Sequence, residues 1–442
     1  MYHILKNHSA ALRQSAKLSK GITVATVEDP TPTAAITVAI PAGSRHEPIA
    51  GAAHVLKNLV LRSTFKRSAL AIARQVELNG GLVSSTLTRE HLLLTAEFIK
   101  GDEGFFAELL GDVLTSSRFP DWEYSEDVLP QLEIEYAQAL QDPSVTAIEK
   151  AHQLAFRNGL GNSLFVSPEL KVPHSKATQY ARVALSSPGV TVVGTGMKQD
   201  SLAQFVEEFY TKSHKNVDVS GIDFDNPEVK PVNTASEYFG GHARIPHKDH
   251  SYSYSHHAPP ATDRYLIAFP SAPSTKSQAF DVLAHLLGGG APAVKWTTGA
   301  SPLSKTFSSK VQTFNFNYSD AGLFGFLIDA ETRDVKSVAQ GTIKELKNVA
   351  SGAKEEDLKR AVAKAKFTIA ESWEGRVGRT VSVATQLANS QGSVSSLADT
   401  LSAYDSVKIS DVAEAANALL KAKPTSVAVG DTRNLPYVEE FL

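Results

Sequence analysis

The sequence predicts an α+β protein built of two similar halves, and three observations carry that expectation. A β-rich run ending in proline opens each half, residues 34–40 before Pro41 and residues 264–269 before Pro270. A short apolar strand closes each half behind a helix and a proline, residues 189–194 after Pro188 and residues 425–430 after Pro424. Between the halves the periodic pattern lapses over residues 212–234, where Asp218, Ser220, Gly221, Asp223, Asp225, Asn226, Pro227 and Pro231 crowd together. The expected organisation is a targeting or N-terminal segment at 1–20, a first domain at 21–211, a linker at 212–234 and a second domain at 235–442. A 442-residue chain accommodates this, since single cores stop growing at about 250–300 residues.

Each element has its own signal. Residues 21–27 and 34–40 are rich in β-branched and small apolar residues and predict strands. Residues 51–61 predict an amphipathic helix, with Ala52, Val55, Leu56, Leu59 and Val60 on one face and His54, Lys57 and Asn58 on another. A second helix begins near Arg67 and stops at Asn79-Gly80-Gly81. Residues 82–87 and 91–98 alternate and predict a hairpin. Phe105, Phe106, Leu109, Leu110, Val113 and Leu114 recur at helical spacing, and further helices run to about residue 185. Ser201-x-x-Gln204 predicts a capping box opening a helix. In the second half, a helix over 276–287 ends at Gly288-Gly-Gly290, strands are expected at 311–318 and 322–329, and a long helical region spans about 335–423.

Bulk properties exclude several classes of function. Hydrophobic residues are 42% and charged residues 21%, with a net charge of −3, so nothing electrostatic predicts a nucleic-acid partner. There are no cysteines, which removes disulfides, thiolate metal sites, cysteine nucleophiles and iron–sulfur ligation. No apolar run reaches the length of a membrane span. Residues 1–27 carry Lys6, Arg13, Lys17 and Lys20 and no acid, a composition shared by mitochondrial transit peptides and by solvated basic tails.

The chemistry centres on His54, Lys57 and Asn58. They stand one step from His-x-x-Glu-His, in which two helical histidines hold zinc and the glutamate activates water. Here Lys57 replaces the base and Asn58 the second ligand. An ammonium repels the metal and takes no proton from bound water, and an amide oxygen is a poor zinc ligand beside imidazole. A histidine in isolation is more often a partly exposed helix residue than a ligand. Glu133 and Glu135, on a later helix, offer carboxylates, though a lone helical glutamate is usually solvated. His242, His247, His250, His256 and His257 cluster without a tetrahedral spacing and read as a polar loop. Gly194-Thr-Gly196 and Gly288-Gly-Gly290 lack the phosphate-loop and dinucleotide-binding patterns and read as element ends.

Taken together, the chain resembles the two-domain pitrilysin-type family that includes the mitochondrial processing peptidases. The matching phrases are Pro41-Ala-Gly-Ser-Arg45, His54 in the frame Gly-x-x-His, Glu135 at the distance of the distal zinc ligand, and Tyr318-Ser-Asp320-Ala-Gly322-Leu-Phe324-Gly. Further phrases are Arg67-Ser-Ala-Leu, residues 156–162 and residues 427–437, the last three nearest to the family's fungal-type core subunits of ubiquinol–cytochrome c reductase (complex III). The resemblance implies two domains, each a mostly antiparallel sheet packed with helices. It also implies that His54, Lys57, Asn58 and Glu135 are vestigial positions, with no catalytic residue, metal or cofactor. Active members hold substrate with an arginine and a tyrosine upstream of the second-half hairpin, and residues 301–311 contain neither.

Such a protein would be peripheral to the mitochondrial inner membrane on the matrix side. It would associate with core subunit 1, cytochrome b, the cytochrome c-type subunit and other subunits in a dimeric complex. Its role would be to support assembly and stability. A second reading is the non-catalytic presequence-binding subunit of a processing peptidase, whose glycine-rich loop has only Gly288-Gly-Gly290 as a counterpart. An active zinc peptidase is a third reading, opposed by Lys57 and Asn58.

Overall fold

The computed structural model describes the main chain of residues 12–17, and residues 21–211, 230–247, 262–288, 299–308, 310–390 and 394–441. Two compact units emerge. One consists of Met1–Ala137, Asn162–Thr234 and Ala370–Thr400, the other of Gln138–Gly161, Ala235–Ile369 and Leu401–Leu442. No described helix is long and apolar enough to cross a membrane.

The first unit holds β1 (Leu12–Lys17), β2 (Thr23–Val27), β3 (Thr33–Ile40), β4 (Leu82–Leu87), β5 (Leu92–Ile99) and β6 (Thr191–Thr195). They form one sheet in the order β1-β2-β6-β3-β5-β4, antiparallel except for the β2–β6 pair. From Ala34 onward β3 is buried on both faces, so it reads as an unbroken apolar run rather than an alternation. One face carries the main apolar core with helix Glu103–Thr115. Helix Arg376–Ser390, contributed from far along the chain, packs against β3 and β6. Edge strand β4 alternates half-buried and exposed residues, as a strand with one solvated face should.

The second unit repeats the plan. Its strands are β7 (Gly241–Pro246), β8 (Asp263–Ser271), β9 (Val311–Asn317), β10 (Gly322–Ala330) and β11 (Thr425–Gly430). Their order, β7-β11-β8-β10-β9, reproduces β2-β6-β3-β5-β4 strand for strand, including the single parallel pair, here β7–β11. Tyr265, Ile267 and Phe269 of β8 face a core shared with helices Gln278–Leu287, Thr332–Ser351 and Ile409–Lys421. The alternate residues Leu266 and Ala268 join a smaller cluster with helix Pro143–Phe156. The α+β fold of two like sheets is therefore as expected.

Local expectations needed adjustment in two places. The helix expected to open at Ser201 begins at Gln199, with Lys198 before it. Its start is fixed by Gln199, whose amide joins the Thr26 hydroxyl and the Val24 carbonyl on β2, so a tertiary bond replaces the capping box. His242 lies inside β7, bonded through Nδ1 to Ser426 of β11, and not in a polar loop. His250, His256 and His257 fall outside the described residues, as do Gly289, Gly290 and linker residues 212–229. Gly288 is a helix-end residue at φ +75, and a Cβ there would stand 1.9 Å from the Ser301 hydroxyl.

Candidate functional site

The site begins with the chain leaving β3. Gly43 donates its N–H to the Glu90 carbonyl and Arg45 donates its own to the Arg89 carbonyl, so the Pro41–Arg45 phrase lies against the β4–β5 turn. Only glycine permits that approach, because a Cβ on Gly43 would come within 2.4 Å of the Arg89 oxygen. The Arg45 guanidinium then pairs with Glu90 at 3.0 Å in a buried contact.

Helix Ala52–Leu59 follows, and its six buried residues include His54. Gly51 precedes it at φ +87, where a Cβ would press to 2.3 Å from the Val166 side chain. That explains the glycine of the Gly-x-x-His frame. The Glu47 carboxylate accepts hydrogen bonds from Gly51 and Ala53 N–H at 3.0 and 3.1 Å, satisfying donors that helix starts leave open. Burial pushes the Glu47 carboxyl up to about 8, against the pull of those two N–H groups. The nearby Tyr180 hydroxyl is buried without a hydrogen-bond partner among the described residues.

A raised carboxyl is bound to its proton more tightly in the folded state. Its stabilisation is full below about pH 4.5 and is lost as pH rises toward 8. Glu47→Gln keeps the acceptor oxygen and offers its amide N–H to Tyr180. The variant is expected to gain on the parent as pH rises, by on the order of 3 kcal/mol at pH 8. Urea unfolding at pH 5 and pH 8 checks this, and equal differences at the two values would refute it.

Four predicted positions converge. The Glu135 carboxylate, on helix Leu129–Gln141, accepts from His54 Nε2 at 2.6 Å and from Lys57 Nζ at 2.8 Å to each oxygen. Asn58 Nδ2 approaches at 3.4 Å and Gln131 Nε2 at 3.2 Å. Glu133, the other carboxylate considered, is exposed. His54 is 2% exposed, more buried than a surface helix histidine.

The tautomer follows from a residue that periodicity gave no reason to single out. Val166 donates its main-chain N–H to His54 Nδ1 at 3.1 Å. A neutral ring accepting there carries its proton on Nε2, the nitrogen facing Glu135. A zinc-ligating histidine needs the opposite arrangement, a bare nitrogen toward the metal and an N–H donated to an acceptor behind it.

Charge tells the same story. Burial alone would raise Glu135, but hydrogen bonds from Lys57, His54 and Gln131 outweigh it and hold the carboxyl down at about 2. Burial, aided by the Lys57 charge, lowers the His54 imidazole below its ordinary value against the opposing pull of Glu135. The ammonium thus sits on both carboxylate oxygens, where a metal would need them. These residues do not fit zinc, and no described group of three or more His, Asp or Glu side chains could hold a metal ion. What remains is a closed ion pair joining two helices.

The second-half phrase around Tyr318 also has a packing role. Tyr318 hydroxyl donates to His152 Nε2 at 2.7 Å, while His152 Nδ1 bonds the Ile148 carbonyl. Asp320 accepts from the Ser236 main chain and hydroxyl. Gly325 is crowded by the Ile267 carbonyl and Phe314, each 2.5 Å from where a Cβ would stand.

Comparison with known proteins identifies the family. The family model described as insulinase (peptidase family M16) matches residues 23–167, and that of the peptidase M16 inactive domain matches residues 173–365. Among curated relatives, the Cryptococcus neoformans protein named cytochrome b-c1 complex subunit 2, mitochondrial, is 39% identical, with 98% of each chain covered. The Neurospora crassa protein of the same name is 33% identical over 95% of this chain and 89% of its own. The human one is 29% identical over 96% and 91% respectively.

Proposed function

The chain belongs to the M16 peptidase family, and on that premise we propose that it serves as a non-catalytic core subunit of the mitochondrial cytochrome b-c1 complex (complex III). Relatives covering nearly the whole chain carry the name of that complex's subunit 2. The observation that carries the non-catalytic reading is the Lys57 ammonium on Glu135, with Val166 N–H behind His54.

In this role the protein is peripheral to the inner membrane on the matrix side. It pairs with core subunit 1, and in the dimeric complex it supports cytochrome b and the cytochrome c-type subunit through assembly and stability. The vestigial residues His54, Lys57, Asn58 and Glu135 hold helices together and carry out no chemistry. The sequence plan 21–211 and 235–442, joined at 212–234, is read as one domain pattern used twice, although Gln138–Gly161 groups with the second unit and Ala370–Thr400 with the first.

Purification of the native assembly tests the proposal. Cytochromes b and c-type are expected in the isolate, whereas a soluble heterodimer with an active processing peptidase would replace this reading with the presequence-binding one. Zinc content near zero and no presequence cleavage are expected of the purified chain, and metal-dependent turnover would overturn it. Lys57→Glu with Asn58→His is expected to remain inactive. Val166 still fixes the unfavourable His54 tautomer, and residues 301–311 supply no arginine or tyrosine. Cleavage of a presequence peptide by that double variant would refute this expectation.

A further inference from the structure

Part of the N-terminal segment expected at 1–20 is built into the first sheet. Leu12–Lys17 is its outermost strand, β1. It pairs antiparallel with β2, Leu12 and Arg13 standing opposite Val27 and Thr26, and Ala16 and Lys17 opposite Val24 and Thr23. The register slips by one residue between Arg13 and Ala16, a bulge of the kind common at sheet edges. Gly21, in the connection between the two strands, stands at φ +75, a conformation that glycine adopts freely.

The strand sequences fit this order. β2 (Thr-Val-Ala-Thr-Val) has no charge, and its five residues are all buried, as in an interior strand. β1 (Leu-Arg-Gln-Ser-Ala-Lys) carries two cations, which on an open edge discourage pairing with other chains. The second sheet serves as a control. Its β7 (Gly-His-Ala-Arg-Ile-Pro) holds the place of β2, but no strand lies outside it among the described residues. It has the make-up of an edge, with Arg244, a closing proline, and residues that are half-buried or exposed. Loss of residues 1–20 would leave β2 with an unpaired row of main-chain donors and acceptors and no charge to guard it. Helix Gln199–Phe205 packs against both β1 and β2, so tertiary contact adds to the pairing.

We propose that the mature protein retains Leu12–Lys17, any targeting segment being confined to residues 1–11. A processing endopeptidase would hydrolyse one peptide bond upstream of Leu12, water adding its hydroxyl to the released acyl group and its proton to the new amine. Of the four basic residues that give residues 1–27 their targeting composition, Lys6 alone lies upstream, while Arg13, Lys17 and Lys20 stay with the fold. The proposal rests on the mitochondrial reading only for the existence of a targeting segment, not for the place of β1 in the sheet.

Intact mass and N-terminal sequencing of the subunit from its native assembly test the proposal, with a first residue at or before Leu12 expected. A first residue at Arg13 or later would overturn it. Two measurements on the purified chain are independent of the mitochondrial reading. In hydrogen exchange of the full chain, residues 12–17 are expected to exchange about a hundredfold more slowly than in the free peptide. A chain beginning at residue 12 should match the full chain in thermal midpoint, whereas one beginning at residue 21 should melt at least about 5 °C lower and self-associate. Exchange at the free-peptide rate, or equal midpoints for the two shortened chains, would overturn the proposal. Protection of β1 in a chain that does not purify with cytochromes would uphold the strand and refute the mitochondrial reading alone.

Discussion

Lys57→Met is expected to lower stability by about 2 kcal/mol at pH 7. The substitution keeps the apolar stem and removes the ammonium that meets both Glu135 oxygens at 2.8 Å. Breaking a fully buried pair costs about 3–5 kcal/mol because one charge is stranded. Here the side chains are 21% and 16% exposed, and solvent screens part of that loss. Glu135 would keep His54 and Gln131 as donors, which also limits it.

The pH dependence has a definite sign. Glu135 is held at about 2, below its ordinary 4.5, so its stabilisation is present above pH 4.5 and lost as pH falls toward 2. The deficit of Lys57→Met should therefore be full at pH 7 and close between about pH 4.5 and 2. Urea unfolding across that range measures it. A double-mutant cycle with Glu135→Gln should return a coupling energy of about 1–2 kcal/mol. A pH-independent deficit, or no coupling, would show that the pair is decorative.

Much of this was legible in the sequence because it rests on local rules. The alternation of 82–87 and the apolar face of 51–61 come directly from strand and helix periods. The repeat showed in punctuation, Pro41 and Pro270, Pro188 and Pro424, and it reappears as identical strand order. Glu135 could be placed only through the family's spacing, since nothing local distinguishes it from Glu133.

The illegible parts are tertiary. Val166 acts through its main-chain N–H, which every residue but proline possesses, so no side-chain pattern announces it. Gln199 is hidden for a different reason, since its side-chain amide moved a helix start by reaching Val24 and Thr26, partners far away in the sequence. Which sheet each helix of the 335–423 region covers was equally hidden. Helix Arg376–Ser390 packs on β3 and β6, with the buried Thr380–Thr195 hydroxyl pair at β6 and Arg379 bound to Asp29 in the turn between β2 and β3. An amphipathic period says that a face is buried, not against what.

The repeat also locates the largest expected loss, at Asp281. In the first unit the Ser85 hydroxyl of β4 donates to the Lys57 carbonyl, and in the second the Thr313 hydroxyl of β9 donates to the Ala284 carbonyl. Matching these bonds sets Val55-Leu56 against Val282-Leu283, His54 against Asp281 and Asn58 against His285. Where the first unit keeps a histidine and a lysine on a distant carboxylate, the second has placed the carboxylate on the helix itself.

Asp281 accepts from Ser277 and Tyr404 hydroxyls at 2.9 and 2.8 Å and from Asn315 and Asn317 amides at 2.8 and 3.2 Å. Asp281→Asn conserves shape but turns an amide N–H toward donors, leaving several of them unsatisfied at about 1–3 kcal/mol each. A loss of about 3–4 kcal/mol is expected in urea unfolding, within the range of broken buried networks. Tyr404→Phe should cost less in the Asp281→Asn background than in the parent, because its acceptor is already gone. If Asp281→Asn costs under about 1 kcal/mol, or the two changes add independently, the carboxylate is not what organises this face of β9.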